Sequence, residues 1–144
     1  YVAPERLVLE VTEDILIDDP IAVNRLHELH ALGVLIAIDD FGTGYTSINY
    51  LQQLPVQILK IDRSFVSGNA LAPTERNAFL HAIIGLAKSL HLHSVAEGIE
   101  GAAQLDELRS LGCESGQGFL WAKAQPLQQA QATIADIEHA NVAV

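Results

Sequence analysis

The stretch VLIAIDDFGTG, residues 34–44, passes without a break from an apolar run to two acids and then to glycines. An apolar run of this length is the signature of a strand buried on both faces. The strand is read as Val34–Ile38, ending in Asp39 and Asp40, with the loop Phe41–Gly44 beyond it. Upstream, Leu7–Thr12 reads as a second strand, and Asp18, Asp19 and Pro20 as a helix start. Ala22, Leu26, Leu29 and Leu32 recur at helical spacing, and Gly33 supplies the stop. Downstream, a short helix is expected from about Thr46 to Gln53, closed by Pro55, and then a strand at Ile58–Ile61. After a loop around Gly68–Pro73, Thr74 is expected to cap a long helix with Phe79, Ile83, Leu86 and Leu90 on one face.

Ser94–Ala96 reads as a strand leading into Glu97, Gly98 and Glu100. Ala102, Leu105, Leu108 and Leu111 mark the next helix, stopped by Gly112, and a short strand is expected near Gly116–Leu120. Pro126 opens a last helix carrying Leu127, Ala130, Ile134 and Ile137; the tail after His139 is expected to fray. Five strands, each followed by a helix, imply an α/β fold with a parallel sheet. A flavodoxin-like open sheet satisfies the same alternation. A parallel β/α barrel of the TIM type is the better reading, because polar residues recur at the C-terminal end of every strand and not at one switch point. Such a barrel has eight strands, so residues 1–144 read as one partial domain whose first strands precede Tyr1. The chain contains no methionine and runs from Tyr1 almost directly into a strand, which also reads as a piece of a longer protein.

With 8 basic and 18 acidic residues the net charge is −10, the wrong sign for binding long nucleic acid. A small phosphorylated ligand stays open, because metal ions can supply positive charge. The single cysteine, Cys113, excludes an internal disulfide and suits the cytoplasm. No apolar run approaches membrane-span length, so no direct membrane insertion is expected.

Glu10 lies in an apolar strand, where a carboxylate is costly unless a cation or donor meets it. It reads as a metal ligand or as a paired core glutamate. Asp39 and Asp40 in succession repel unless a cation bridges them, and hard oxygens favour magnesium or manganese. A turn cap accounts for only one of the two. Lys60 interrupts Ile58–Ile61 and needs a carboxylate or a phosphate, or else a structural ion pair. Glu97 closes the fourth strand. Gln117, between Gly116 and Gly118, lies beside the fifth, where glycines permit close backbone approach to a ligand or simply make a turn. The six histidines, with no carboxylate at ligand spacing, read as solvated or half-buried.

The segments LVLEVTE, IAIDDFGTGYTS, LKIDRSFV, VAEGIE and LGCESGQGF resemble, in order, the motifs of EAL domains, the cyclic di-GMP phosphodiesterases. The resemblance covers about Leu7 to Pro126. It implies an eight-stranded barrel that binds two Mg2+ or Mn2+ ions and hydrolyses cyclic di-GMP to the linear dinucleotide. Paired metals of this kind stabilise attacking and leaving oxygens together. Carried over by position, Glu10, Asp39, Asp40 and Glu97 match metal-binding acids, and Lys60 matches the lysine that positions the attacking water. Glu97 is also the candidate general base. Gln117 and Asp62 match rim or substrate-binding positions. Glu13, Glu100 and the loop Phe41, Gly42, Thr43 and Gly44 match groups that support the site, with Glu13 anchoring the loop after Asp40.

The resemblance further implies a cytoplasmic domain with upstream sensory or GGDEF-type partners, a possible membrane tether through other domains, and possible homodimers. The Glu-Ala-Leu strand, with its substrate-contacting arginine and metal-binding asparagine, is absent from the chain. Thr46 stands where serine is usual, and Ala124 and Gln125 replace an apolar-proline run. A degenerate EAL domain that binds the nucleotide without cleaving it is the competing function, and the isolated chain is expected to be inactive.

Overall fold

The computed structural model describes residues 2–12, 20–44, 48–68 and 72–139. Five parallel strands form one sheet: β1 (Val8–Thr12), β2 (Leu35–Phe41), β3 (Ile58–Ile61), β4 (His93–Ala96) and β5 (Ser115–Gly116). Six α-helices accompany them: α1 (Pro20–Ala31), α2 (Ile48–Leu51), α3 (Arg63–Ser67), α4 (Pro73–Ser89), α5 (Ala102–Leu111) and α6 (Leu127–His139). A single 3-10 turn, Pro4–Arg6, precedes β1.

Strand order separates the two folds left open by the alternation. The strands lie in the order β1-β2-β3-β4-β5, each beside its sequence neighbour. A doubly wound sheet must reverse direction once to place helices on both faces. Right-handed crossovers that always advance the same way leave every helix on one face, which is the wall of a β/α barrel. The other face is the barrel interior.

Alternate residues of the strands serve the two faces, and both are buried at the centre of the sheet. Ile36, Ala37, Ile38, Leu59 and Ile61 are fully buried. Leu80, Ile83, Ile84 and Ala87 of α4 and Leu105 and Leu108 of α5 close over the helical side. Cys113 is buried in the same core, and that burial pushes its thiol pKa up.

Several boundaries differ from the sequence reading. β2 continues through Asp39 and Asp40 to Phe41 instead of stopping at Ile38. The region after β3 is not all loop: Asp62 caps the five-residue helix α3 by accepting from the Ser64 N–H. Ala72, not Thr74, is the N-cap of α4, because Pro73 supplies the first turn. The fifth strand is only Ser115–Gly116, and residues 117–120 turn across the strand ends. Leu32 lies beyond α1 and is exposed. The short helix covers only Ile48–Leu51, and Asp18, Asp19, Thr46 and the tail after His139 lie outside the described residues.

Candidate active site

Lys60 organises the site. It alternates with Leu59 and Ile61 in β3, so its side chain enters the barrel face while theirs enter the core. Only 6% of that side chain is exposed, and Nζ meets Glu10 at 2.7 Å, Asp39 at 2.9 Å and Glu97 at 2.5 Å. One partner comes from β1, one from β2 and one from the residue after β4. Three carboxylates thus ring one ammonium as ion pairs, and the buried Asp39 Oδ1 is held by that charge without a hydrogen bond of its own. Burial alone would lower the lysine pKa, but the contacts with Glu10, Glu97 and Asp39 outweigh it and hold the pKa above the ordinary value. Lys60 is therefore a fixed cation and a donor.

Asp39 and Asp40 reach the same cavity through a backbone irregularity. The β2–β3 register shifts between Ile38 and Phe41, and Asp40 has φ of 52°, in the left-handed region. This is how a bulge re-aims a side chain that strict alternation would send to the other face. Thr43 secures the turn, its hydroxyl donating to the Asp40 carbonyl at 2.8 Å. Oxygens of Asp39, Asp40 and Glu97 all lie within 4.8 Å of one another. Burial first, then the charges of Asp39 and Asp62, pushes the Asp40 carboxyl up. Asp62 is burdened by burial too, but bonds from Ser64 hold its pKa below the usual carboxylate range, and Asp40 shares a hydrogen bond with it. A carboxyl pushed up by burial and by neighbouring acids marks a site crowded with negative charge. Three hard oxygen donors in that state fit a magnesium- or manganese-type ion.

Glu97 is locked from several sides. Its N–H donates to the Ile61 carbonyl at 3.1 Å, and its Oε1 accepts from Gln117 Nε2 at 3.0 Å. Gln117 is pinned by its own backbone, which donates to Ala96 and accepts from Ile99. Gly118 explains why no side chain is tolerated next to it: a Cβ there would sit 2.1 Å from the Ile99 carbonyl oxygen. The close approach is thus backbone to backbone at Gly118, whereas a Cβ on Gly116 would meet the Ile99 side chain at 2.4 Å. Gly98, with φ of +70°, packs where a Cβ would meet that of Arg63 at 2.5 Å.

The remaining expected residues fall as follows. Glu10 pairs with Lys60 but is 47% exposed, and it stands outside the Asp39–Asp40–Glu97 oxygen group. Asp62 caps α3 and faces Asp40. Phe41 is buried at the end of β2, and Gly42 lies against Phe65 and Phe79, whose rings are 4.3 Å apart. Gly44 is exposed at the end of this described loop. Glu100 is exposed and lines a cavity of about 290 Å³ shared with Arg63, Glu97, Gln117, Phe119 and Ala122. Glu13 lies outside the described residues.

Sequence reasoning missed Arg63, Phe119 and Ala122; Arg63 and Phe119 were signalled only by adjacency to Asp62 and Gly118, and Ala122 by nothing. It also left the histidines without acid partners. His93, at the opposite strand end, has Nδ1 3.7 Å from Glu114 and Nε2 2.7 Å from the Ser115 hydroxyl. Among the described residues no helix is long and apolar enough to cross a membrane.

The EAL domain family model matches residues 1–124. The bifunctional diguanylate cyclase/cyclic di-GMP phosphodiesterase MucR of Pseudomonas aeruginosa is 47% identical over 134 residues, which cover 92% of this chain. The chain spans only 19% of MucR. A solved structure of the same relative, the PaMucR phosphodiesterase in complex with c-di-GMP, superposes with a TM-score of 0.83 at 45% identity. That match covers 90% of this chain and 52% of the solved one. Klebsiella pneumoniae BlrP1, solved with manganese and cyclic di-GMP, gives a TM-score of 0.74 at 28% identity over 85% of this chain and 31% of BlrP1.

Proposed function

Since the chain belongs to the EAL domain family, we propose that it forms the later part of a barrel that hydrolyses one phosphodiester bond of cyclic di-GMP, giving the linear dinucleotide. The observation that carries this reading is the Asp39–Asp40–Glu97 oxygen group set around the buried Lys60 ammonium. These three acids, with Glu10 at their edge, would hold divalent cations. When bound, such ions supply the positive charge that draws in an anionic phosphodiester and makes water more acidic.

The chain's own groups divide the remaining work. Lys60 cannot act as a base, because its three carboxylates keep it protonated. It donates instead, and so orients the attacking water toward phosphorus. Glu97 accepts the proton that water loses. Gln117 and Lys60 both grip Glu97 by Oε1, which fixes the plane of that carboxylate. In the adjoining cavity the Phe119 ring offers a stacking surface and Arg63 a planar cation, which suits a guanine base next to its phosphate. Glu100 and the loop from Phe41 to Gly44 support the site, and Asp62 holds Asp40.

A cytoplasmic location belongs to the same proposal, as do additional domains in the full-length protein, the latter supported by a relative that is far longer than this chain and bifunctional. The test is to incubate the full-length protein, and this chain alone, with cyclic di-GMP and magnesium or manganese. Linear dinucleotide from the full-length protein is expected, and none from the chain alone. Binding without turnover by the full-length protein would replace the enzyme reading with a receptor.

A further inference from the structure

Gln104 is the third residue of α5, and both ends of its side-chain amide are engaged. Oε1 accepts the backbone N–H of Glu100 at 2.8 Å and of Gly101 at 3.0 Å. Nε2 donates to the carbonyl of Val66 on α3 at 3.2 Å. Accepting from the N-cap residue is the ordinary task of a capping-box side chain, and a glutamate would do it as well. The bond to Val66 belongs to no cap. An amide can accept from one element and donate to another, which an ionised carboxylate cannot.

The elements joined are those that carry the site. On one side is the segment from Glu97 to Gly101, which begins with the acid held by Lys60 and Gln117. On the other is α3, opened by Asp62, the partner of Asp40. Arg76 of α4 donates to the same Val66 carbonyl at 3.2 Å and is anchored by both oxygens of Glu107 at 2.8 and 2.7 Å. Val66 therefore keeps a donor even if Gln104 lets go, so losing the tie leaves no orphaned carbonyl. The tie does more to set distance between two loops than to stabilise the fold.

We propose that Gln104 is a positioning residue, tying the loop after β4 to α3 so that Glu97 stays within shared-ligand distance of Asp39 and Asp40. The proposal rests on the metal-dependent phosphodiesterase reading of the site. The test uses the full-length protein with Gln104→Glu, Gln104→Leu and Glu107→Gln. Gln104→Glu keeps the cap and loses the tie. It should lower kcat and weaken Mn2+ affinity, followed by paramagnetic resonance titration, each by about tenfold, the usual cost of losing a partner that orients a ligand. KM for cyclic di-GMP and the melting temperature should stay at wild-type values.

Gln104→Leu loses both functions, so its melting temperature should also fall and the Glu100 and Gly101 amides should exchange faster with deuterium. Glu107→Gln loosens the same helix pair without touching the loop, and should leave kcat and Mn2+ affinity unchanged. Wild-type kcat and Mn2+ affinity in Gln104→Glu would reduce the residue to a helix cap and overturn the proposal. An equal loss in Glu107→Gln would overturn it too. If the wild-type protein binds Mn2+ without turnover, the phosphodiesterase reading fails, and the Mn2+ titrations still decide the role of Gln104. A wild-type protein that binds no Mn2+ overturns both.

Discussion

Lys60 sits under three carboxylates, and its removal asks whether they are built to hold cations. Replacement by methionine keeps most of the stem and deletes the charge. Glu10, Asp39 and Glu97 would then face one another without a counter-ion. Removing one partner of a buried ionic group costs about 3–5 kcal/mol, and the half-exposed Glu10 favours the lower end of that range. In the full-length protein, Lys60→Met should therefore be less stable in metal-free buffer by about 3 kcal/mol, read from denaturant melts. Magnesium should then recover more stability in the variant than in the wild type, because an ion binds only the folded cluster and replaces the lost charge. No magnesium response in either protein would mean that the acids do not form a cation site. Lys60, Asp39, Asp40 and Glu97 were legible in the sequence because a charge inside or at the end of an apolar strand has no cheap structural excuse. Arg63, Phe119 and Gln104 were not. Their roles depend on which loops meet across the strand ends, and no periodicity records that.

Among the elements, β2 and β3 could be read from short, mostly apolar runs, since burial on both faces leaves a hydrophobic signature, whereas β4 showed only as a short segment leading into Glu97. β5 was expected near Gly116–Leu120 and stands at Ser115–Gly116; its bounds could not be read, because two residues carry no periodicity and their strand character comes only from pairing with Val95 and Ala96. α3 was overlooked for a similar reason: five residues are too few to show a helical stripe, although Asp62 followed by Ser64 held the capping signal. The bulge in β2 was legible only as a need. Two acids in succession had to converge, and the register shift with the left-handed Asp40 is how they do. The segment after β5 gives the sharpest element-level expectation. In Gly118→Ala the new Cβ would collide with the Ile99 backbone, which cannot step aside while Ile99 is bonded to Gln117 and Leu120. Overpacking of this sort costs about 1–3 kcal/mol. The strain falls on Gln117, so full-length Gly118→Ala should lose phosphodiesterase turnover as well as melting temperature. An alanine variant with wild-type turnover and melting temperature would contradict the close packing of this segment.

At the scale of the molecule, the sheet has two open sides. Among the described residues β1 has its only strand partner in β2, and Val8 and Leu9 remain 48% and 38% exposed. At the other end Phe119 is exposed, as are Leu127 and Ile134 on α6. A parallel strand with one unpaired edge offers its backbone groups to any other chain. The exposure of the site follows the same gradient. Glu10 on the edge strand is 47% exposed, Asp39 on β2 24%, and Glu97 beyond β4 16%. The site is therefore finished on the β4 side and open on the β1 side, where the barrel reading places further strands. The chain alone should self-associate or melt without a sharp transition. Adding the preceding strands of the barrel as a separate polypeptide should give a one-to-one complex that melts cooperatively. Light scattering and calorimetry on the two pieces decide the matter. A sharply melting monomer of the chain alone would mean that the edges are not an interface. Glu10 would then owe its exposure to a site open by design and not to one awaiting its other half.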